Sequence, residues 1–299
     1  MDLQKLTTET RNPASMRIDE MDTLSMVEVM NRENEKVVKA VEEVSPAIAN
    51  AIDAIAPRFL SGGRILYIGA GTSGRLGALD AIELEPTYNV SPDRAFGILA
   101  GGAEAMYTAI EGAEDSKEFA IADLKEHGLC QDDVLISIAA SGRTPYAIAA
   151  LEYAKEIGAL AVSVTCNADS PMDKIADISI APIVGPEVVT GSTRMKAGSA
   201  QKMVLNAIST GVMIRCGKVY QNLMVNVRPT NEKLIHRAIS IIMDATGCSH
   251  DVAENALNGS DKDVAVAIVM VETGKSGEES KKLLEQAQGM VRKAITLGK

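Results

Sequence analysis

A chain of 299 residues, 46% hydrophobic and 23% charged, is long enough for one large core with one or two small appendages and has the composition of a folded globular protein. Its formal net charge of −10, with no cluster of Lys and Arg, argues against a nucleic-acid binder built on a basic patch, although backbone N–H groups can still hold an anion locally. Aromatic residues are only 3%, with no Trp, so the core must be built from Ala, Val, Ile, Leu and 14 Met.

In chain order, Met1 to Asn12 is polar and carries no apolar stretch of the kind found in targeting segments. Residues 1–30 read as an irregular arm that needs a surface to pack on, a partner subunit being one candidate. From Glu33 to Phe59 the apolar residues Val37, Val38, Val41, Val44, Ile48, Ile52 and Ile55 recur at three- and four-residue steps, which predicts one face of a helix, ended by Ser61-Gly62-Gly63. Short β-branched runs then alternate with helical patterns. The predicted strands are Ile65–Ile68, Ala95–Leu99, Val134–Ile138, Leu160–Thr165 and Ile178–Ala181. Strand, loop and helix in repetition imply an α/β fold with a parallel five-stranded sheet and helices on both faces, whose ligands bind beyond the carboxyl ends of the strands.

Lys196 to Ile214 reads as a long Ala- and Met-rich helix, apolar nearly all round and therefore expected to be buried, often the case at a subunit interface. The sheet pattern stops at about Thr230. Ser249-His250-Asp251 reads as a helix start and Asn258-Gly259 as a stop, with further helices over Asp261–Thr273 and Glu278–Leu297. The longest plain apolar run, Val264 to Val271, is too short for a bilayer, which needs about 20 residues. The organisation expected is an N-terminal arm and helix over 1–60, the α/β domain over 61–230, and a small C-terminal helical module over 231–299.

The four cysteines, Cys130, Cys166, Cys216 and Cys248, are widely separated, and the three histidines, His127, His236 and His250, share no metal-like spacing. Reduced, mostly buried thiols, surface or capping histidines, no metal site and a cytoplasmic protein are the expectation.

Three loops carry the residues suited to chemistry. Gly69-Ala70-Gly71-Thr72-Ser73-Gly74-Arg75 follows a strand and opens a helix, where unpaired N–H groups and the helix dipole favour an anion. No Gly-Lys-Ser/Thr follows, so it is not a Walker A loop, and the acid a dinucleotide site needs at the end of the next strand is replaced by Leu99-Ala100-Gly101-Gly102. Thr72 and Ser73 favour a phosphate monoester over the alternative, a tight turn capped by Ser73. Ala139-Ala140-Ser141-Gly142-Arg143-Thr144-Pro145 offers the hydroxyls of Ser141 and Thr144 to the same phosphate. Glu187 to Arg194, with Thr190, Ser192 and Thr193, puts a third hydroxyl-rich segment before the long helix. There Arg194 and Lys196 either balance a substrate carboxylate or belong to a solvated helix start.

These loops resemble those of the sugar isomerase (SIS) domain, a flavodoxin-like fold that binds phosphorylated sugars. Five further stretches carry the likeness to one family within it: Tyr67-Ile-Gly-Ala-Gly-Thr-Ser-Gly-Arg-Leu-Gly, Ile98-Leu-Ala-Gly-Gly, Glu111-Gly-Ala-Glu-Asp, Ala139-Ala-Ser-Gly-Arg-Thr-Pro-Tyr and Thr190-Gly-Ser-Thr-Arg-Met-Lys-Ala-Gly-Ser-Ala-Gln-Lys. Together with Thr8-Glu-Thr-Arg-Asn-Pro13 and Gly217-Lys-Val-Tyr-Gln-Asn-Leu-Met-Val they resemble the N-acetylmuramic acid 6-phosphate etherases over nearly the whole chain. The resemblance implies a homodimer, no cofactor, a phosphosugar held by Gly71, Thr72, Ser73, Gly74, Ser141, Gly142, Thr144 and Ser192, and two acid–base glutamates. Glu83 matches the proton donor to the lactyl oxygen and Glu114 the base at C2. Ile82 stands where the family has Ser, and Leu84-Glu85 where it has small residues or Pro, placing a second carboxylate two residues from Glu83. Spacing alone does not choose between Glu111 and Glu114, which a helix would put on one face. The rival readings are a sugar-phosphate isomerase on the same fold and a non-catalytic sugar-phosphate sensor. Sensors of this fold are usually longer, and this chain has one copy of each loop.

Overall fold

The computed structural model describes residues 7–227, 229 and 231–299; the first six residues of the polar N-terminus, and Thr230 where the sheet pattern is predicted to end, lie outside them. The chain forms two compact units. One takes the residues up to Ile82 and Asp93–Ser209, the other Glu83–Pro92 and Thr210 onward.

The first unit holds a five-stranded sheet of β1 (Ile65–Gly69), β2 (Ala95–Leu99), β3 (Val134–Ile138), β4 (Leu160–Val164) and β5 (Ile178–Ile180) in the order β2-β1-β3-β4-β5. All pairings are parallel. The five predicted strands are present, with ends moved by no more than a residue. Every residue of β1, β3 and β4 is buried, as expected of strands covered on both faces. On one face Leu66, Ile68 and Leu135 pack in a core with Leu124 of α5 (Lys117–Glu126) and Tyr146 and Leu151 of α6 (Pro145–Ile157). On the other lies α3 (Gly71–Ile82), in near backbone contact with the sheet. A Cβ at Gly97 of β2 would stand 2.5 Å from Ala78 Cα of α3, so the strand must carry glycine there.

Before the sheet come α1 (Thr23–Glu43) and α2 (Ser45–Leu60). The single helix predicted over Glu33–Phe59 is thus two helices, and the first begins ten residues sooner. Asp22 caps α1 by accepting from the Ser25 N–H, and Ser45-Pro46 opens α2 with proline at a position where its missing N–H costs nothing. The N-terminal arm, three short 3-10 turns over residues 7–20, packs on its own chain. Thr8 is fully buried, its hydroxyl accepting from Asn167 Nδ2 at 3.2 Å, and Ser15 Oγ donates to the Val188 carbonyl at 2.7 Å.

Asn12 and Glu33 anchor this arm. Glu33, 4% exposed, accepts from Asn12 Nδ2 (2.7 Å), Lys36 Nζ (2.7 Å) and Lys196 Nζ (2.6 Å), the last from the first residue of α8 (Lys196–Arg215). Lys196 is 1% exposed and its charge is spent here, so it does not face a substrate carboxylate, nor is it part of a solvated helix start. Along α8, Ala197, Ala200, Val204, Leu205 and Ile208 are fully buried, as the apolar pattern predicts, while Met203 and Ile214 reach the surface.

The second unit begins with α4 (Leu84–Tyr88) and continues with a two-stranded hairpin of β6 (Val219–Tyr220) and β7 (Leu223–Met224). Between β4 and β5 of the first unit lies α7 (Pro171–Ile175), held by a capping box between Ser170 and Asp173. The second unit's helices are α9 (Glu232–Thr246), α10 (His250–Gly259), α11 (Val264–Thr273), α12 (Gly277–Gln286) and α13 (Val291–Gly298). The apolar run Val264–Val271 forms all of α11 but its last two residues, and Ala267, Ile268 and Val269 are fully buried among Ile242, Ala253, Leu257 and Ala294. The helix predicted over Glu278–Leu297 is broken at Gln288 and Gly289, both with positive φ. Among the described residues no helix is long and apolar enough to cross a membrane.

Burial alone would raise the Glu33 carboxyl, but hydrogen bonds from Lys196, Lys36 and Asn12 outweigh it and hold its pKa at about 2, below the ordinary 4.5. The stability this contributes is present above about pH 4.5 and is lost as pH falls toward 2. Glu33→Gln leaves Lys196 buried and unpaired, which is expected to cost about 3–5 kcal/mol at pH 7 in urea denaturation and to flatten the acid limb of the stability curve.

Candidate active site

The strand order places β1 between β2 and β3, and the connections after β1 and β3 leave toward opposite sides of the sheet. This is the switch point at which such sheets form a crevice. The ends of β1 and β3 are paired, Gly69 opposite Ile138, so the first and second loops start side by side.

The first loop turns straight into α3 at Gly71, and Thr72 and Ser73 lie in its first turn. Ser73 is inside the helix rather than capping it and is buried. Its Oγ donates to Gln201 Oε1 of α8 at 2.9 Å, and Gln201, 1% exposed, leaves its Nε2 without an acceptor. A buried amide donor left unpaired costs about 1–3 kcal/mol. Gly74 is buried in the same turn. In the second loop Gly142 has φ +66, and a Cβ there would meet Ser170 Cβ at 2.4 Å, so no other residue fits. Ser141 Oγ accepts from the Arg143 N–H (3.2 Å), Thr144 caps α6 without using its hydroxyl, and Asn167 Nδ2 holds the loop through the Ala140 carbonyl (3.0 Å). Arg143 Nε is a second buried donor without a partner.

The third segment reaches the first through α8. Ser192 is half-buried in the turn before this helix. The helix start is capped by Glu187, fully buried, which accepts from the N–H groups of Lys196 (3.0 Å) and Ala197 (2.9 Å). That terminus is therefore occupied by the chain's own carboxylate. Arg194, by contrast, is exposed. The eight residues expected from the sequence to hold a phosphate are thus all in the first unit.

A cleft of about 180 Å3 opens beside the first loop, lined by Ala70, Gly71, Arg75, Ala100, Ile110, Glu111 and Glu114 among others. Both glutamates face it, but not from a common helix. Gly112, with φ +75, separates Glu111 from a short 3-10 turn over Ala113–Asp115 that carries Glu114. Arg75 ties this wall to α3, donating from Nε to the carbonyls of Ala105 (3.0 Å) and Met106 (3.2 Å) and from Nη2 to that of Thr108 (3.2 Å).

Glu83 is exposed at the joint between α3 and α4 and is the first residue of the second unit. One turn earlier Asp80 is buried, accepting from Tyr67 Oη (2.8 Å), Asn206 Nδ2 (2.6 Å) and Ser209 Oγ (3.1 Å). Burial raises its pKa against the pull of those hydrogen bonds. The cluster locks the end of α3 to β1 and α8. Ile82 is exposed, Leu84 buried and Glu85 exposed in the first turn of α4. Of the cysteines, Cys166 and Cys216 are buried, Cys248 is partly so and Cys130 is exposed. Among the described residues no group of three or more His, Cys, Asp or Glu could hold a metal.

The chain is 61% identical over 295 residues to N-acetylmuramic acid 6-phosphate etherase 1 of Enterococcus faecalis, covering 99% of this chain and 98% of that one. It is 56% identical to the N-acetylmuramic acid 6-phosphate etherase of Clostridium beijerinckii, covering 99% and 97%. The chain belongs to the N-acetylmuramic acid 6-phosphate etherase family. Residues 47–155 match the N-terminal SIS domain of glucokinase regulatory protein, residues 121–210 the SIS domain, and residues 221–260 the C-terminal lid domain of glucokinase regulatory protein. Among solved structures, a Bacteroides fragilis protein described as a phosphosugar isomerase involved in capsule formation superposes with a TM-score of 0.50 at 20% identity, over 66% of this chain and 94% of that one, which shows the SIS fold. In this member of the etherase family the residues that spacing could not single out are Arg75, Glu187 and Gln201. All three lie in the quoted motifs, but their partners are distant in sequence.

Arg75→Met removes the three bonds that hold residues 105–108 against α3. Amide hydrogen exchange over 103–112 is expected to speed up by at least about tenfold, with β1, β3 and β4 unchanged, as for a local opening uncoupled from global unfolding.

Proposed function

We propose that the chain is a carbon–oxygen lyase that cleaves the D-lactyl ether of N-acetylmuramic acid 6-phosphate, giving N-acetylglucosamine 6-phosphate and D-lactate in amino-sugar catabolism. The observation that carries this is end-to-end identity of 52–61% to proteins named for that activity. The phosphate is held where the N–H groups of the first turn of α3 meet the hydroxyls of Thr72, Ser73, Ser141, Thr144 and Ser192, with Gly71 open to the ligand and Gly74 and Gly142 letting the two loops pack tightly against Gly69 and Ser170.

In the open-chain sugar, C1 is an aldehyde that acidifies the C2 proton, and the C3 ether oxygen is a β leaving group. Glu114 takes the C2 proton. Glu83 gives its proton to the lactyl oxygen as the C3–O bond breaks, so lactate leaves as an alcohol. Glu83 then activates a water that adds at C3 of the unsaturated aldehyde, and the proton returned at C2 completes N-acetylglucosamine 6-phosphate. Atoms balance with water as the only co-reactant, so the reaction as written requires no metal or redox cofactor. General acid–base catalysis of this kind contributes about 10²–10⁴-fold per group. An isomerase on this fold would move the C2 proton but needs no acid at C3, and neither it nor a sensor is favoured by relatives that match over the full length.

The enzyme acts as a homodimer in the cytoplasm. The family resemblance and the exposed Leu24, Val27 and Val38 of α1 support this reading. The domain limits 61–230 for phosphosugar binding and 231–299 for a structural helical module go with it.

The pure protein is expected to release D-lactate from N-acetylmuramic acid 6-phosphate and, in 18O-labelled water, to place the label on C3 of the product. Glu83→Ala and Glu114→Gln should each lower kcat by about 10²–10⁴-fold. Binding of the phosphosugar without lactate release would instead mark a sensor, and turnover of a phosphosugar lacking the lactyl group would mark an isomerase.

A further inference from the structure

The first turn of α3 presents the free N–H groups of Gly71, Thr72 and Ser73, since Gly74 is the first residue whose N–H bonds back, to the Ala70 carbonyl at 3.1 Å. An anion at this terminus accepts hydrogen bonds and donates none. A serine hydroxyl has one proton to give. With Gln201 Oε1 toward Ser73, that proton is used on the protein, and only lone pairs remain to face a phosphate. In the same orientation both hydrogens of the 1%-exposed Gln201 Nε2 find no acceptor. Rotating the amide by half a turn exchanges two atoms of nearly equal position and cures both faults. Nε2 then donates to Ser73 Oγ, the hydroxyl proton becomes available, and the group left over is a carbonyl oxygen, which is tolerated unpaired more readily than an N–H.

We propose that Gln201 is a positioning residue that, with phosphosugar bound, turns its amide Nε2 toward Ser73 Oγ and thereby makes Ser73 a hydrogen-bond donor to the phosphate. The inference rests on the reading of Ser73 as a phosphate ligand. Gln201 is suited to the task because it stands near the start of α8, where Glu187 caps the helix and Lys196 is tied to Glu33. The amide can rotate while its backbone stays fixed.

The test compares Ser73→Ala, Gln201→Met, Gln201→Glu and the Ser73→Ala/Gln201→Glu double variant, reading KM for N-acetylmuramic acid 6-phosphate and inhibition by inorganic phosphate. Thermal unfolding of each confirms a folded protein. Ser73→Ala is expected to raise KM by about tenfold, the loss of one charge-assisted hydrogen bond. Gln201→Met, which cannot donate, should raise KM several-fold and weaken phosphate inhibition in proportion. Gln201→Glu at pH 8 can only accept, so KM should rise as far as in Ser73→Ala. It should recover as pH falls through the carboxyl's titration, because a protonated Glu can donate to Ser73. In the Ser73→Ala background Gln201→Glu should add little. A Gln201→Met KM equal to the parent's overturns the proposal. So does a Gln201→Glu effect that is independent of pH, since it then does not follow the carboxyl's protonation, or one fully additive with Ser73→Ala, since that is simple charge repulsion. If Ser73→Ala itself leaves KM and phosphate inhibition unchanged, the phosphate reading of Ser73 fails, and the role of Gln201 with it.

Discussion

A single buried carboxylate decides where the long helix of this protein begins. Glu33 gathers Asn12 from the arm, Lys36 from its own helix and Lys196 from the first turn of α8. Apolar side chains of the same volume would stabilise this spot at least as well, because two charges must be taken out of water to form the pair. What they would not supply is registration. Asn12 also donates to the Pro186 carbonyl, and Glu187, next in the chain, caps α8. The arm, the segment before α8 and α8 itself are therefore set against each other by one connected network. From α8 the ordering passes to α3 through Gln201 on Ser73 and through Asn206 and Ser209 on Asp80.

The other determinant is how closely α3 approaches the sheet. Small residues line the contact, and the backbone of Gly97 comes so near Ala78 that no side chain fits between. A helix seated this low presents its first turn level with the ends of β1 and β3. There the exposed N–H groups and the second loop share one small volume. The polar residues at this edge are poorly satisfied by the protein alone, with Gln201 Nε2 and Arg143 Nε both buried and unpaired. Donor groups in excess of acceptors are what an anion site requires.

Much of the architecture was legible because parallel buried strands read as short continuous apolar runs, and their connecting loops are rich in glycine and hydroxyls. Helix breaks were harder. The break at Val44 is signalled by Ser45-Pro46 and that near residue 288 by Gln288-Gly289, but the apolar spacing carries across both and hides them. Helix α9 has a clear face of Ala238, Ile239, Ile241 and Ile242 and an Asn231 cap, so the signal for it is present in the sequence. The hairpin of β6 and β7 has two residues per strand, too few for any periodicity. At the site, the hydroxyl and glycine positions follow from the loop motifs. The burial of Lys196 does not, since its partner Glu33 lies in a helix with no pattern marking it. The choice of Glu83 and Glu114 over neighbouring carboxylates came from the family likeness and not from spacing.

The way the two units share the chain bears on how the protein is made. Residues Glu83–Pro92 belong to the same compact body as the segment beginning at Thr210, and Leu84, Tyr88 and Val90 among them are buried in the finished fold. On the ribosome these apolar side chains emerge early, and the rest of their unit exists only after residues 93–209 have been synthesised. In that interval these apolar side chains await the rest of their own unit. Neither unit can be released as an uninterrupted fragment by a single cut.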